Sequence, residues 1–194
     1  GCHVVVQGGL APVGVQLAFR NPATIRSLAL TSPPVWKEMV TAVPEKELAR
    51  NYHFLRNPIW GNLAFSLLET RMAVRFFSNA FLFEDTCDDT WLDECDQEMG
   101  PPVRPPVQVF NAGFCLHRSW QFELESLPQP LLVLQGRNDA ARLEGRKYYA
   151  RKVPECQMVT LPGKNVLPWE SPAAVREALA AFWGNDDDND QDHQ

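Results

Sequence analysis

The chain is poor in several of the features that announce a function. No apolar run approaches the ~20 residues that a membrane-spanning helix requires, so no transmembrane segment is expected. There is no basic stripe, and no basic patch interleaved with aromatics, which excludes the usual footprint of nucleic-acid binding. The five cysteines (Cys2, Cys87, Cys95, Cys115 and Cys156) are odd in number and never spaced as Cys-x-x-Cys. That argues against a zinc centre or a disulfide scaffold and favours a reducing compartment. No metal and no cofactor is implied. Serine is absent before Ser27, and the four histidines are His3, His53, His117 and His193.

What is present is globular. The 194 residues are 45% hydrophobic, enough for one domain with a sizeable core. The formal charge is −6, but five aspartates (Asp186, Asp187, Asp188, Asp190 and Asp192) crowd residues 185–194, and without them the body is near −1. Such a terminus reads as a solvated, disordered acidic tail.

The opening segment, His3-Val4-Val5-Val6-Gln7-Gly8-Gly9-Leu10-Ala11, reads as a strand, a tight turn and the start of a helix. Residues 13–20 continue that helix, and Asn21-Pro22 closes it. Residues 25–31 form a short apolar run suited to a strand buried on both faces. A second such strand, Leu131-Leu132-Val133-Leu134-Gln135, ends in the turn Gly136-Arg137-Asn138-Asp139. A third, 157–163, leads through Leu167-Pro168-Trp169-Glu170 into a last helix over 173–183.

This order of elements resembles the C-terminal part of the α/β-hydrolase fold, a mostly parallel sheet flanked by helices, and the resemblance covers residues 3–184. The resemblance implies a nucleophile at the tip of the first turn, an acid after a later strand, and a histidine before the final helix. Those positions fall on Gly8, Asp139 and Val166. The glycines that usually flank the nucleophile fall on Val6 and Leu10, and Lys164 and Asn165 precede the histidine position. Gly8 has no atom able to attack, and none of the four histidines lies between Asp139 and the last helix. Of the implied triad only the carboxylate stays, so no catalytic residue is intact.

Between the run at 25–31 and the strand beginning at Leu131 lie about a hundred residues without strand patterning. Pro44-Glu45-Lys46-Glu47 opens a helix with proline in its first turn and acids at the positive end of the dipole. Residues 62–79 read as one long amphipathic helix. Asp88-Asp89-Thr90-Trp91 caps another, and Gly100-Pro101-Pro102-Val103-Arg104-Pro105-Pro106 breaks the chain before a helix over 107–120. The segment resembles the helical cap that α/β-hydrolases insert at this point. The domain reading is therefore core 1–32, cap 33–127, core 128–184 and tail 185–194. The phrases Asn57-Pro58-Ile59-Trp60-Gly61-Asn62, Arg75-Phe76-Phe77-Ser78 and Asn111-Ala112-Gly113-Phe114 resemble caps of cyanobacterial and plastid α/β-hydrolase-like proteins, which implies a plastid location. Cap aromatics, Trp36, Trp60, Phe76, Phe77 and Phe114 among them, either form the cap's own core or line a pocket for an apolar ligand.

In the family, several strands precede the segment at which this chain begins. A parallel sheet starting there has an open hydrogen-bonding edge. The expected partner along it is either the N-terminal half of a longer protein or another subunit. The functional expectation is a catalytically inactive α/β-hydrolase-like protein serving as a structural, assembly or accessory subunit. Two alternatives stand beside it: a module that binds an apolar ligand, and a hydrolase acting on esters through a non-standard site. The last would need Asp139 to meet Cys115, His117 or Tyr148.

Overall fold

The computed structural model describes residues 1–113 and 119–191. In chain order the elements are β1 (Cys2–Gln7), a 3-10 turn (Gly8–Leu10), α1 (Ala11–Arg20), β2 (Ile25–Thr31) and α2 (Trp36–Val40). Then follow α3 (Glu45–Leu55), α4 (Trp60–Leu68), α5 (Arg71–Phe77), a π-helical turn (Ser78–Leu82), α6 (Asp89–Glu98), a 3-10 turn (Pro101–Val103) and α7 (Arg104–Asn111). The chain closes with α8 (Gln121–Glu125), β3 (Leu131–Gly136), α9 (Ala140–Lys152), β4 (Cys156–Leu161), α10 (Leu167–Glu170) and α11 (Pro172–Gln191). They divide into two units, one of residues 1–37 and 121–194, the other of residues 38–120. No helix of the described residues is long and apolar enough to cross a membrane.

The first unit is built on a four-stranded sheet in the order β1-β2-β3-β4, parallel throughout. Burial follows that order. The central strands β2 and β3 are almost wholly buried, whereas the edge strands β1 and β4 are half-buried. Parallel central strands are covered on both faces, which is why Ile25-Arg26-Ser27-Leu28-Ala29-Leu30-Thr31 and Leu131-Leu132-Val133-Leu134 are nearly continuous apolar runs. Ala29 pairs with Leu132 and Leu30 with Val133, so the two-residue period sorts them onto opposite faces. One face carries Ala29, Leu132, Leu134 and Leu161 against Leu167, Val175 and Phe182 of α10 and α11. The other carries Val6 and Leu28 against Gly14 of α1. Each fully buried leucine here contributes about 1.5–3 kcal/mol.

The second unit is helical, as the missing strand pattern implies, but its helices break differently. The expected single helix over 62–79 is two helices. Thr70 sits between them with extended backbone and its hydroxyl accepts from the Ala73 N–H, so it starts α5 instead of continuing α4. The helix expected over 107–120 starts earlier, at Arg104, and ends at Asn111 before Gly113, whose φ of +94° is left-handed. Of the rest of that expectation, residues 114–118 lie outside the described residues and 119–120 are not helical. Asp88 caps α6 as anticipated, its carboxylate accepting from Trp91 N–H at 2.7 Å.

The last helix also differs from expectation. α11 runs to Gln191 and so takes in most of the acidic stretch that reads as disordered. Extending a helix already nucleated adds one hydrogen bond for each residue fixed, which lets it continue through a polar sequence.

Candidate functional site

In a parallel sheet the carboxyl ends of all strands lie at one edge, which is where α/β folds place their sites. Gly8 follows β1 directly, Asp139 lies in the turn after β3, and Val166 precedes α10 in the loop after β4. The three positions picked out by the sequence therefore share this edge.

Gly8 has φ +54°, a left-handed backbone that ordinary residues adopt at a cost. A Cβ built there would meet nothing within 4 Å. The turn thus has a left-handed residue at its tip, with open space where a side chain would project.

Asp139 is buried, 4% exposed, and so is Arg146 of α9, at 0%. Arg146 Nη1 lies 2.8 Å from Asp139 Oδ2, and Arg142 Nη1 lies 3.3 Å from Oδ1. Asp139 occupies the N-cap position of α9, yet its side chain caps nothing. The carboxylate turns instead to the two arginines. Arg146 also donates through Nε to the Pro33 carbonyl at 2.7 Å, and Tyr149 Oη donates to the Pro34 carbonyl at 3.0 Å. Burial pushes the Arg146 guanidinium below its ordinary value, and the charge of Asp139 opposes that shift. Asp139 is thus a buried counter-ion to Arg146, while Arg146 and Tyr149 tie α9 to the segment after β2.

The loop that would carry a histidine is fastened from three directions. Gln7 Nε2 donates to the Asn165 carbonyl at 2.8 Å, the Lys164 N–H donates to Glu170 Oε2 at 2.9 Å, and Ser171 Oγ donates to the Pro162 carbonyl at 2.8 Å. Thr31 Oγ1 in turn donates to Gln7 Oε1. The loop passes so close to the end of β3 that a Cβ on Gly136 would stand 2.1 Å from the Lys164 carbonyl oxygen. Only glycine permits that approach. Val166 is half-buried in this loop.

The described histidines are placed elsewhere. His3 Nδ1 is hydrogen-bonded to Ser27 Oγ at 2.7 Å, and its ring packs 5.1 Å from Trp183. His53 lies in the last turn of α3 in the second unit. His117, His193 and Cys115 lie outside the described residues. Tyr148 is 46% exposed with Arg151 over its ring, whereas Asp139 is buried. The four described cysteines are free thiols. Among the described residues no group of three or more His, Cys, Asp or Glu is placed to hold a metal ion.

Of the aromatics proposed for an apolar pocket, four lie among the described residues. Trp36 is buried in the first unit, its ring edge-on to Tyr149 at 5.4 Å. Trp60, Phe76 and Phe77 are 63%, 65% and 42% exposed in the second unit. Phe114 falls outside the described residues. Sequence reasoning missed Arg146, although Asp139, Arg142 and Arg146 share one helical face by their spacing. It also missed Gln7 and Thr31, which carry no local signal for a contact with Asn165.

A scan of protein-family models and a search of curated proteins gave no match. Solved structures do match. A serine hydrolase from Cycloclasticus zankles is 17% identical with a TM-score of 0.65, over 94% of this chain and 63% of that one. A thermophilic esterase from Thermogutta terrifontis is 19% identical with a TM-score of 0.64, over 94% and 64%. An alpha/beta hydrolase enzyme from a Medee basin deep-sea metagenome library is 12% identical with a TM-score of 0.60, over 94% and 65%. The chain therefore spans less than two thirds of the length of these neighbours. With its parallel sheet, its flanking helices and these neighbours together, the chain has the α/β-hydrolase fold.

Proposed function

We propose that this chain is a catalytically silent α/β-hydrolase-like protein with a structural, assembly or accessory role in a larger complex. One observation carries the reading: the elbow position is Gly8, with left-handed φ and open space above it, and the histidine position is Val166. Acyl transfer by this fold needs a hydroxyl, a base to take its proton and an acid to orient the base. Glycine supplies no nucleophile and valine accepts no proton. The pairing of Asp139 with Arg142 and Arg146 supports a structural use for the carboxylate.

A docking role draws support from the surface of the first unit. Leu10, Val13 and Leu17, on and beside α1, are 52%, 52% and 46% exposed. An apolar face beside a strand edge fits another polypeptide, whether a further part of the same protein or a second subunit. The exposed cap aromatics favour a second reading, an apolar-ligand module, in which native mass spectrometry would find a stoichiometric small molecule.

The test is ester turnover and fluorophosphonate labelling. The protein is expected to show neither. The Gly8→Ser/Val166→His variant is expected to gain labelling at residue 8, at a cost of about 1–3 kcal/mol in backbone strain. Nitrophenyl ester turnover by the unaltered protein that vanished on a single substitution would overturn the proposal.

A further inference from the structure

The second unit holds a cleft of about 530 Å³ between the end of α3, the start of α4 and the segment leading into α7. Its walls are fixed by local bonds. Gln108, buried at 8% exposure, donates from Nε2 to the Leu55 carbonyl at 3.1 Å and so ties α7 to α3. Asn57 Oδ1 accepts from the Ile59 and Trp60 N–H groups, both at 3.0 Å, and Asn62 Nδ2 donates to the Pro58 carbonyl at 2.9 Å. These set the loop that forms the opposite wall.

Two guanidiniums line this cleft and, among the described residues, no acid does. Arg104 is gripped by Glu69 through Nε and Nη2, and Nη2 also donates to Ser66 Oγ at 3.1 Å. Its Nη1 has no protein partner among the described residues. Arg56 lies over the Tyr52 ring, 5.4 Å from the centroid, and donates to Tyr52 Oη at 3.0 Å. It forms no ion pair with a described carboxylate. The remaining surface is proline and valine, which offers flat apolar contact.

We infer that this cleft binds a small organic anion, a carboxylate or phosphate monoester on a flat or cyclic apolar body, with Arg56 as the principal charge contact. The charge balance selects an anion, and guanidinium matches planar oxyanions in two-point geometry. The size excludes an inorganic ion as the full occupant. The volume exceeds many times the roughly 30 Å³ share of a water molecule. It falls within the roughly 300–1,000 Å³ of small-molecule sites. The tyrosine and proline walls supply the apolar contact such a body needs.

The experiment is a titration of the full chain, followed by amide NMR, with benzoate and phenyl phosphate as probes and benzyl alcohol as the uncharged control. Saturable shifts at Asn62 and Gln108 are expected with the two anions, weakening as salt rises. Arg56→Ala should weaken binding roughly tenfold, the size of one lost charge-assisted hydrogen bond. Arg56→Lys should retain part of it, and Arg50→Ala, exposed on the same helix, all of it. Val109→Trp, which fills the cleft, should abolish it. The inference is overturned if neither anion gives saturable shifts or if benzyl alcohol binds equally well. It is overturned equally if Arg56→Ala or Val109→Trp leaves binding unchanged.

Discussion

At the scale of single residues, Asp139 acts as a buried counter-ion to arginines of α9. Asp139 and Arg146 are both buried and paired at 2.8 Å, so removing one charge strands the other. Asp139→Asn is expected to lower stability by about 3–5 kcal/mol, whereas Asp139→Leu/Arg146→Met should fall well short of that, since an apolar pair of similar volume replaces the ions. Urea unfolding of the three proteins checks this; a mild Asp139→Asn would deny the carboxylate a structural role. Cys156 gives a pH prediction. Burial pushes its thiol from 9.0 up to about 12. Between those values the unfolded chain has released the proton and the folded chain still holds it, so stability falls as pH rises through that window. Iodoacetamide at pH 8 should leave Cys156 of the folded protein unmodified and label it quickly in denaturant, with mass spectrometry of the peptide as the readout.

At the scale of elements, boundaries are set by capping groups more than by periodicity. The break between α4 and α5 is the work of Thr70, and α6 begins where Asp88 takes the Trp91 N–H. Asp88→Ala is expected to destabilise the protein by about 1 kcal/mol, measured as a shift in the urea midpoint at unchanged slope. Across α5 and α6, Arg71 meets Asp89, Asp93 and Asp96, and Arg75 meets Asp89. The Arg75 guanidinium holds Asp89 below the usual carboxylate range. Its contribution is therefore present at neutral pH and lost as the carboxylate is protonated, and salt weakens it because the network is exposed.

At the scale of the whole molecule, the first unit leaves an apolar face beside its edge strand, and the second leaves a row of exposed aromatics. The two surfaces can be probed separately. Leu10→Glu/Leu17→Glu should reduce binding of a hydrophobic dye and reduce self-association in sedimentation runs without loss of helix content. An unchanged dye signal would place the exposed apolar surface elsewhere.

The sequence by itself determined the order of the four strands and the helical character of the residues between β2 and β3, because central parallel strands must be apolar throughout. It also determined that positions 8 and 166 carry glycine and valine, since that is a matter of residue identity. Tertiary structure alone decided which groups meet at the carboxyl edge of the sheet. Gln7 and Asn165 lie 158 positions apart in the chain and Arg146 and Pro33 lie 113 apart. No local pattern encodes such pairs; they form because folding brings the ends of parallel strands to one edge, where buried polar groups must find partners.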